Sequence, residues 1–439
     1  MPPGDTVLIA ARSATDGERT LSARVFFVPA LAPAQDYSMQ SPRVVDIAAS
    51  ETVRMLVVLA GASPVRSITT STPLNSTLTD LGNGVHLLEI ESAAATAGYT
   101  VGALHNTLGS LNYKNGSGAT VLTTGFAVNV RDPTAPNVMV TTIAPDAQRS
   151  RNVLNLRVDA PMLGALATAP VARALALLGD RFDQVAVVSN VRTTSNRYHV
   201  VVRNSVQGIG LSIMDNGANW GSASRLLGVN YFPLDNYYDA GEAGFNHEFG
   251  HQWVNFSSLT AFAPGVPHWP ASDNANHLMG FSIGGTGGQG GQFPYGLTAL
   301  GGGQYRVDAK PVTGMYGPWD LYLMGLLPAD SVPAALIFPA TWAAGQTVTP
   351  TAFTIAQYIA AHGARVPSSA ASPRTFTMAT VVLSAGRLLT EAEMAFFDAN
   401  AARVESMSSL PSSIGFARTT AVPFRLATGG RATIVTRID

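Results

Sequence analysis

The 439-residue sequence contains no cysteine. Thiolate metal sites, cysteine nucleophiles and disulfide bonds are therefore excluded, and any zinc ion must be held by His, Asp or Glu. The absence fits an exported bacterial protein as well as a cytosolic one, so it does not decide the compartment. It does reduce the search for metal ligands to a few residue types.

Charge is also scarce in this chain. Only 13% of the residues are charged, the formal net charge is −1, and Lys114 and Lys310 are the only lysines. Such a chain has no basic field that would hold a nucleic acid backbone or an anionic membrane surface. We therefore expect no nucleic acid partner.

Long apolar runs are missing as well. No stretch approaches the length needed to span a bilayer, and the start lacks the basic and apolar regions of a signal peptide. The sequence therefore predicts no transmembrane segment and shows no export signal. Its length is sufficient for two or three domains, each with its own core.

Short β-branched runs separated by turn residues fill the chain from its start to about Asp132. This pattern predicts an all-β sandwich over residues 1–135, with the role of an accessory domain. After the Pro-rich segment 131–137 helices mix with strands, and we assign residues 136–335 to a second domain. Residues 336–439 are predicted as a C-terminal α/β part that completes this domain or forms a small third one. The predicted fold class is α+β.

The segment His247-Glu248-Phe249-Gly250-His251 carries the strongest chemical signal. On an α-helix, His247 and His251 project from one face one turn apart, where they can chelate one tetrahedral ion. Glu248 directly follows the first ligand, so its carboxylate lies beside the open coordination position as a general base. The pattern predicts a Zn²⁺ centre with Glu248 as the catalytic residue.

An apolar stripe accompanies the motif. Phe245, Phe249, Trp253 and Phe256 recur at helical spacing, so a helix over residues 241–256 can bury them while its histidines face a cleft. Four of the eight histidines fall between positions 247 and 277. This clustering supports a metal centre.

The segment from His247 to Trp253 resembles the zinc helix of the zincin metallopeptidases, and its final Gln-Trp is similar to the gluzincin aminopeptidase helix. The resemblance implies two His ligands, a glutamate base and a zincin-like catalytic domain whose mixed sheet precedes the helix. Two departures stand out: Pro270 occupies the place of the expected glutamate ligand, and an upstream G-x-M-E-N segment is missing. The span from Arg197 to Pro333 also resembles a poorly characterised group of bacterial metalloprotease-like proteins.

Two residues compete for the place of third metal ligand. His268 follows His251 by seventeen residues, close to the position of the gluzincin glutamate. Asp320 is the alternative ligand, or else an acid that favours the first turn of a short helix. His277 is a further candidate as a ligand. Donors to the transition state are sought among His277, Tyr295, Tyr305 and Tyr316.

Together these features predict a zinc-dependent endopeptidase that acts on protein or peptide substrates. The strand at 228–234 is expected to form the sheet edge that pairs with an extended peptide. Two alternatives remain: a non-catalytic surface or adhesion protein with a structural metal, and a zinc hydrolase of non-peptide substrates. We expect a secreted or cell-surface bacterial protein.

Overall fold

The structure is a computed structural model of mixed α+β class, rich in strands and poor in helices, with several separate sheets. The predicted α+β class is therefore confirmed. The structure describes residues 6–12, 20–28, 44–48, 52–59, 67–71, 75–82, 85–91, 104–131, 138–159, 168–189, 197–233, 245–263, 266–280, 295–309, 314–338, 345–405 and 422–439. Most of the predicted linker at 131–137 lies outside these ranges.

The first region contains strands and no helix among its described residues. These strands are β1 (Thr6–Arg12), β2 (Thr20–Val28), β3 (Val44–Ala48), β4 (Thr52–Leu59), β5 (Ser67–Ser71), β6 (Asn75–Gly82), β7 (Val85–Glu91), β8 (Leu104–Lys114) and β9 (Thr120–Arg131). They form a five-stranded sheet, β1-β2-β4-β7-β6, and a four-stranded sheet, β3-β9-β8-β5. In β7 His86, Leu88 and Ile90 are buried in alternation, as expected of a strand with one covered face. The region matches the all-β expectation, whereas its boundary at 135 stays a prediction.

The rest of the chain mixes strands and helices. Its strands are β10 (Thr141–Ala144), β11 (Ala147–Arg149), β12 (Val153–Val158), β13 (Gln184–Ser189), β14 (Tyr198–Val201), β15 (Arg203–Asn204), β16 (Met214–Asp215), β17 (Gly228–Pro233), β18 (Tyr295–Gly301), β19 (Gln304–Ala309), β20 (Ala335–Ile337), β21 (Thr347–Val348), β22 (Thr351–Phe353), β23 (Thr375–Ala385) and β24 (Thr433–Val435). Its helices are α1 (Thr168–Leu178), α2 (245–250), α3 (Pro318–Leu323), α4 (Ile355–His362), α5 (Glu391–Arg403) and α6 (Phe424–Ala427).

A central sheet organises this part, with the order β10-β11-β12-β23-β13-β17-β14 and β24 beside β23. Strands β12, β23, β13 and β17 run parallel to one another, whereas β14 pairs with β17 antiparallel. Every residue of β13 is buried, because parallel central strands are covered on both faces.

The two faces of the central sheet have different covers. Ala186 and Val188 belong to the apolar cluster that contains Phe249 of α2. Val185 and Val187, which point the other way, belong to the cluster that contains the buried residues of α1. The motif helix and α1 therefore lie on opposite faces of the sheet.

The motif helix ends near Gly250, before the predicted end at residue 256, whereas residues 241–244 of the prediction lie outside the described residues. Beyond that residue the backbone bonds change to a three-residue spacing, as in the bond from the Trp253 N–H to the Gly250 carbonyl (3.0 Å). The Asn255 N–H then donates to Pro267 at 3.0 Å, which directs the chain away from the helix axis. Phe256 is consequently half-buried and not helical. The apolar stripe formed by Phe245, Phe249 and Trp253 is buried as predicted.

The edge of the central sheet is not the strand that we expected. The segment 228–234 contains β17, which lies between β13 and β14 and is therefore an interior strand. Among the described residues the edge on this side is β14, which precedes β17 in the sequence. Sequence order alone could not show this, because β14 joins the sheet by folding back antiparallel on β17.

Two other sequence expectations can be compared with the structure. Thr390, followed three residues later by Glu393, predicts a helix start with a capping box. Helix α5 begins in this way: Thr390 Oγ1 accepts from the Glu393 N–H, and Glu393 Oε2 accepts from the Thr390 N–H. Among the described residues, none of the helices has both the length and the apolar character to cross a bilayer.

Candidate metal centre

Helix α2 presents its histidines by burying its opposite side. Phe249 packs edge-on against Phe376 of β23 and Phe424 of α6, with ring centroids 5.4 and 4.8 Å away. A β-carbon at Gly250 would collide with the Met279 sulfur and crowd the Tyr316 ring, so these side chains would have to shift. The glycine thus lets two side chains approach the helix closely.

Three histidines meet beside this helix. His247 Nε2 lies 3.2 Å from His251 Nε2 and 3.2 Å from His268 Nε2. One ring nitrogen from each of the three residues falls within 4.8 Å of the others. Of the two candidate third ligands, it is therefore His268 that the structure brings to the motif pair.

Backbone contacts decide which nitrogen of each motif histidine carries the proton. His247 Nδ1–H donates to the Leu278 carbonyl at 2.8 Å, and His251 Nδ1–H donates to the Val254 carbonyl at 3.0 Å. Because a carbonyl oxygen can only accept, Nε2 keeps its lone pair in both neutral rings. Two lone pairs 3.2 Å apart cannot bond to each other without a shared cation. The arrangement is that of two ligands directed at one ion.

The spacing also fits a metal ion. Two nitrogens bound to one tetrahedral zinc at about 2.0–2.1 Å would lie about 3.3–3.4 Å apart. The observed 3.2 Å separations from His247 Nε2 are close to that value. The three histidines can therefore hold a metal ion, and an all-imidazole donor set suits zinc among other transition metals.

The protonation state of the three imidazoles also suits metal binding. Burial lowers the pKa of His251 to about 4 and that of His268 to about 3, and it lowers the pKa of His247 well below the ordinary range. The positive charge of Arg197 adds to the lowering in all three. Near neutral pH the rings are uncharged, which is the form that binds metals.

Glu248 lies in the same pocket with only 5% of its side chain exposed. Its Oε1 accepts a hydrogen bond from Arg197 Nε at 3.0 Å. Burial raises the pKa of Glu248 to about 7, although the charge and the hydrogen bond of Arg197 act in the opposite direction. A carboxylate near neutrality can both take and return a proton.

Asp320 lies apart from the three histidines. Its Oδ1 accepts from Trp269 Nε1–H at 2.6 Å, and its Oδ2 accepts from the Gly317 N–H at 2.7 Å. These contacts match the helix-capping interpretation and not the ligand interpretation. Because Trp269 follows His268 in the chain, Asp320 also ties the segment of the third histidine to α3.

The candidate transition-state donors have other contacts. The buried Tyr316 O–H donates to the Asn246 carbonyl, and the His277 ring packs on Gly317, where a β-carbon would collide with it. Tyr305 is half-buried in β19, and the side chain of Tyr295 lies outside the described residues. The Tyr316 hydroxyl is therefore not free to donate at the histidine group, whereas His277 Nδ1 has no hydrogen-bond partner among the described residues and its role stays a prediction.

Sequence reasoning missed Arg197. A single arginine before a short strand has no local signal, and its role depends on a contact with Glu248 across the fold. The only hint was positional, since it stands at the start of the segment that resembles metalloprotease-like proteins.

A second histidine lies next to this group. His199 Nδ1 contacts Asn230 Oδ1 at 2.8 Å, and its Nε2 contacts Gln252 Oε1 at 3.2 Å. Gln252 Nε2 donates to the Arg203 carbonyl at 2.9 Å, which fixes its oxygen toward His199. Burial lowers the pKa of His199 to about 4. This network, which we call the His199 network, joins the end of the motif segment to the central sheet.

Comparisons with known proteins add little. No family model and no curated protein matches the chain. A solved structure, the bradyzoite specific antigen BSR4 from Toxoplasma gondii, is 14% identical and has a TM-score of 0.15. The match covers 46% of this chain and 67% of that one. So weak a likeness carries no conclusion about fold or function.

Proposed function

We propose that the chain is a zinc-dependent endopeptidase. The observation that carries the proposal is the convergence of His247, His251 and His268 on one point, with the two motif rings held in the ligand tautomer. Glu248 lies buried beside them with a pKa near neutrality. The resemblance of this segment to the zincin helix supports the same chemistry.

The residues have distinct roles in this proposal. His247, His251 and His268 hold the ion, and the Leu278 and Val254 carbonyls orient the first two rings. A bound zinc ion supplies Lewis acidity to the attacking water and to the substrate carbonyl. Glu248 takes the proton from water at a carboxylate oxygen and returns it to the leaving nitrogen.

The edge strand β14 provides the reason for choosing a peptide substrate. It pairs with β17 on one side, and among the described residues no strand pairs with its other side. An extended peptide can add to such an edge through main-chain hydrogen bonds. Because β14 begins directly after Arg197, which contacts Glu248, a peptide bound there would run beside the general base.

The test compares wild type with Glu248→Gln. We expect about one zinc per chain in both proteins by mass spectrometry, and about a 10²- to 10⁴-fold loss of casein hydrolysis in the variant. Glu391→Gln, which alters an exposed glutamate of α5, is the control and should behave as wild type.

Three outcomes would contradict the proposal in different ways. A fully active Glu248→Gln would remove the general base. A wild type that binds zinc but cleaves no casein would leave a structural metal in a surface or adhesion protein, or a hydrolase of non-peptide substrates. Ester and glycan substrates then separate those two. A wild type that binds no zinc would mean that the histidine group has another purpose.

A further inference from the structure

Arg197 places a positive charge directly on Glu248. Its Nε donates to Glu248 Oε1 at 3.0 Å, and 25% of its side chain is exposed, compared with 5% for Glu248. The Glu248 carboxylate is thus buried, whereas the Arg197 guanidinium reaches solvent.

Most of the hydrogen-bonding capacity of Arg197 is unused. A guanidinium has five N–H donors, and only the Nε–H has a partner among the described residues. The two terminal amino groups lie within about 2.3 Å of Nε by covalent geometry, so they remain beside Glu248. The unused donors of Arg197 therefore lie beside the Glu248 carboxylate, one residue from the first motif histidine.

The other candidate donors differ from Arg197. The Tyr316 hydroxyl is committed to the Asn246 carbonyl. The His277 ring packs on Gly317, and its buried Nδ1 has no hydrogen-bond partner among the described residues. A hydrolytic site needs a donor for the oxygen that becomes negative when water adds to a carbonyl. Of these three candidates, Arg197 alone combines a fixed positive charge, a contact with Glu248 and N–H groups without a partner among the described residues.

We propose that Arg197 is a second catalytic residue, whose terminal amino groups bind the carbonyl oxygen of the scissile bond while its Nε fixes Glu248. This inference rests on the proposed function. Water forms a C–O bond to the carbonyl carbon, the π electrons move to oxygen, and the proton of water passes to Glu248. Arg197 donates hydrogen bonds to that oxygen and transfers no proton. The C–N bond then breaks, and Glu248 protonates the nitrogen.

The variants for the test are Arg197→Ala, Arg197→Lys and the matched control Arg225→Ala. Arg225 is a suitable control because it pairs through Nε with the buried carboxylate of Asp183, also at 3.0 Å, outside the histidine group. For Arg197→Ala we expect wild-type zinc content, a casein kcat lower by about 10²- to 10³-fold, and a smaller change in KM. Guanidinium chloride at millimolar concentration should restore part of the activity of Arg197→Ala and none of that of Glu248→Gln. Arg225→Ala should keep wild-type kcat.

A second measurement does not depend on hydrolysis. Inorganic phosphate, a tetrahedral oxyanion, is titrated into the zinc-loaded proteins by calorimetry. We expect binding to wild type and to Arg225→Ala, and binding at least about tenfold weaker to Arg197→Ala. Arg197→Lys, which keeps the charge but not the fork, should lie between them.

The outcomes separate the two proposals. Casein cleavage with an unchanged kcat in folded, zinc-loaded Arg197→Ala would overturn the role of Arg197 and leave the peptidase intact. Arg197-dependent phosphate binding without casein cleavage would retain the donor and reject the peptidase. If circular dichroism shows that Arg197→Ala does not fold, Arg197→Lys provides the test. Wild-type kcat and wild-type phosphate binding in Arg197→Lys would contradict a role for the two terminal amino groups of the guanidinium. Neither casein cleavage nor phosphate binding in wild type would overturn both proposals.

Discussion

Two histidine clusters lie side by side in this molecule, and consecutive residues connect them. His251 belongs to the metal group, whereas Gln252 belongs to the His199 network. In the metal group, backbone carbonyls take the Nδ1 protons and leave Nε2 lone pairs facing each other. In the His199 network, both ring nitrogens face amide oxygens. Equal burial of imidazoles thus gives a cation site in one place and a closed polar network in the other.

The largest effect is expected when one histidine is removed from each cluster, because only the metal group should then lose zinc. His251→Ala should lower zinc affinity by about a thousandfold, if a binding energy of on the order of 10–16 kcal/mol is shared among three or four ligands. His199→Ala should retain zinc but lose about 1–3 kcal/mol of stability, because the amide oxygens of Asn230 and Gln252 lose the single N–H donor of the neutral ring, although Gln252 Oε1 still accepts from Gln184 Nε2 at 3.4 Å. Zinc titration and urea unfolding of both variants measure this. Equal zinc loss in the two would show that the clusters act as one.

The second prediction concerns how stability depends on pH at Asp320, the carboxylate that holds Trp269 next to His268. Burial raises the pKa of Asp320 to about 7, above the value of about 3.9 in an unfolded chain. Its contribution to stability is therefore complete below about pH 4 and is lost as the pH rises through 7. Relative to wild type, Asp320→Asn should gain about 2–3 kcal/mol in free energy of unfolding between pH 5 and pH 8. Urea unfolding of the metal-free proteins tests this, and parallel curves would place the pKa of Asp320 in its ordinary range.

The smallest effect on zinc affinity is expected when Asp320, which lies outside the metal group, no longer holds the segment of His268. Asp320→Ala removes the acceptor of the Trp269 N–H and frees the segment that carries His268. We expect zinc affinity to fall by about 10- to 100-fold, which is typical of outer-shell partners and less than the effect of His251→Ala. Competition with a chromophoric chelator gives the affinity. A value within twofold of wild type would mean that the packing of Trp269 alone positions His268.

Local spacing explains which parts of the site were predictable. The motif pair and Glu248 follow from helical geometry, and His268 was one of two candidates for the third ligand because of its position after His251. Local spacing could not predict contacts between distant segments of the chain. The pairing of Arg197 with Glu248 and the capture of the Tyr316 hydroxyl by Asn246 depend on how the chain folds back.

The fold shows the same division. Alternating runs predicted individual strands, and the capping box predicted the start of α5 at Thr390. The early end of α2 depends on the bond from Asn255 to Pro267, and the edge position of β14 depends on its pairing with β17. In both cases the local sequence allows more than one structure, and contacts with distant segments determine which one forms.

Strand β23 determines when the site can form during synthesis. It lies between β12 and β13, although the ribosome makes it after both of them and after all three histidines. Until residue 385 has emerged, the central sheet has a gap, and Phe249 lacks the Phe376 ring beneath it. A nascent chain therefore carries its histidines and Glu248 before it has the framework to align them. An interrupted translation product that ends before β23 should therefore lack an aligned histidine group.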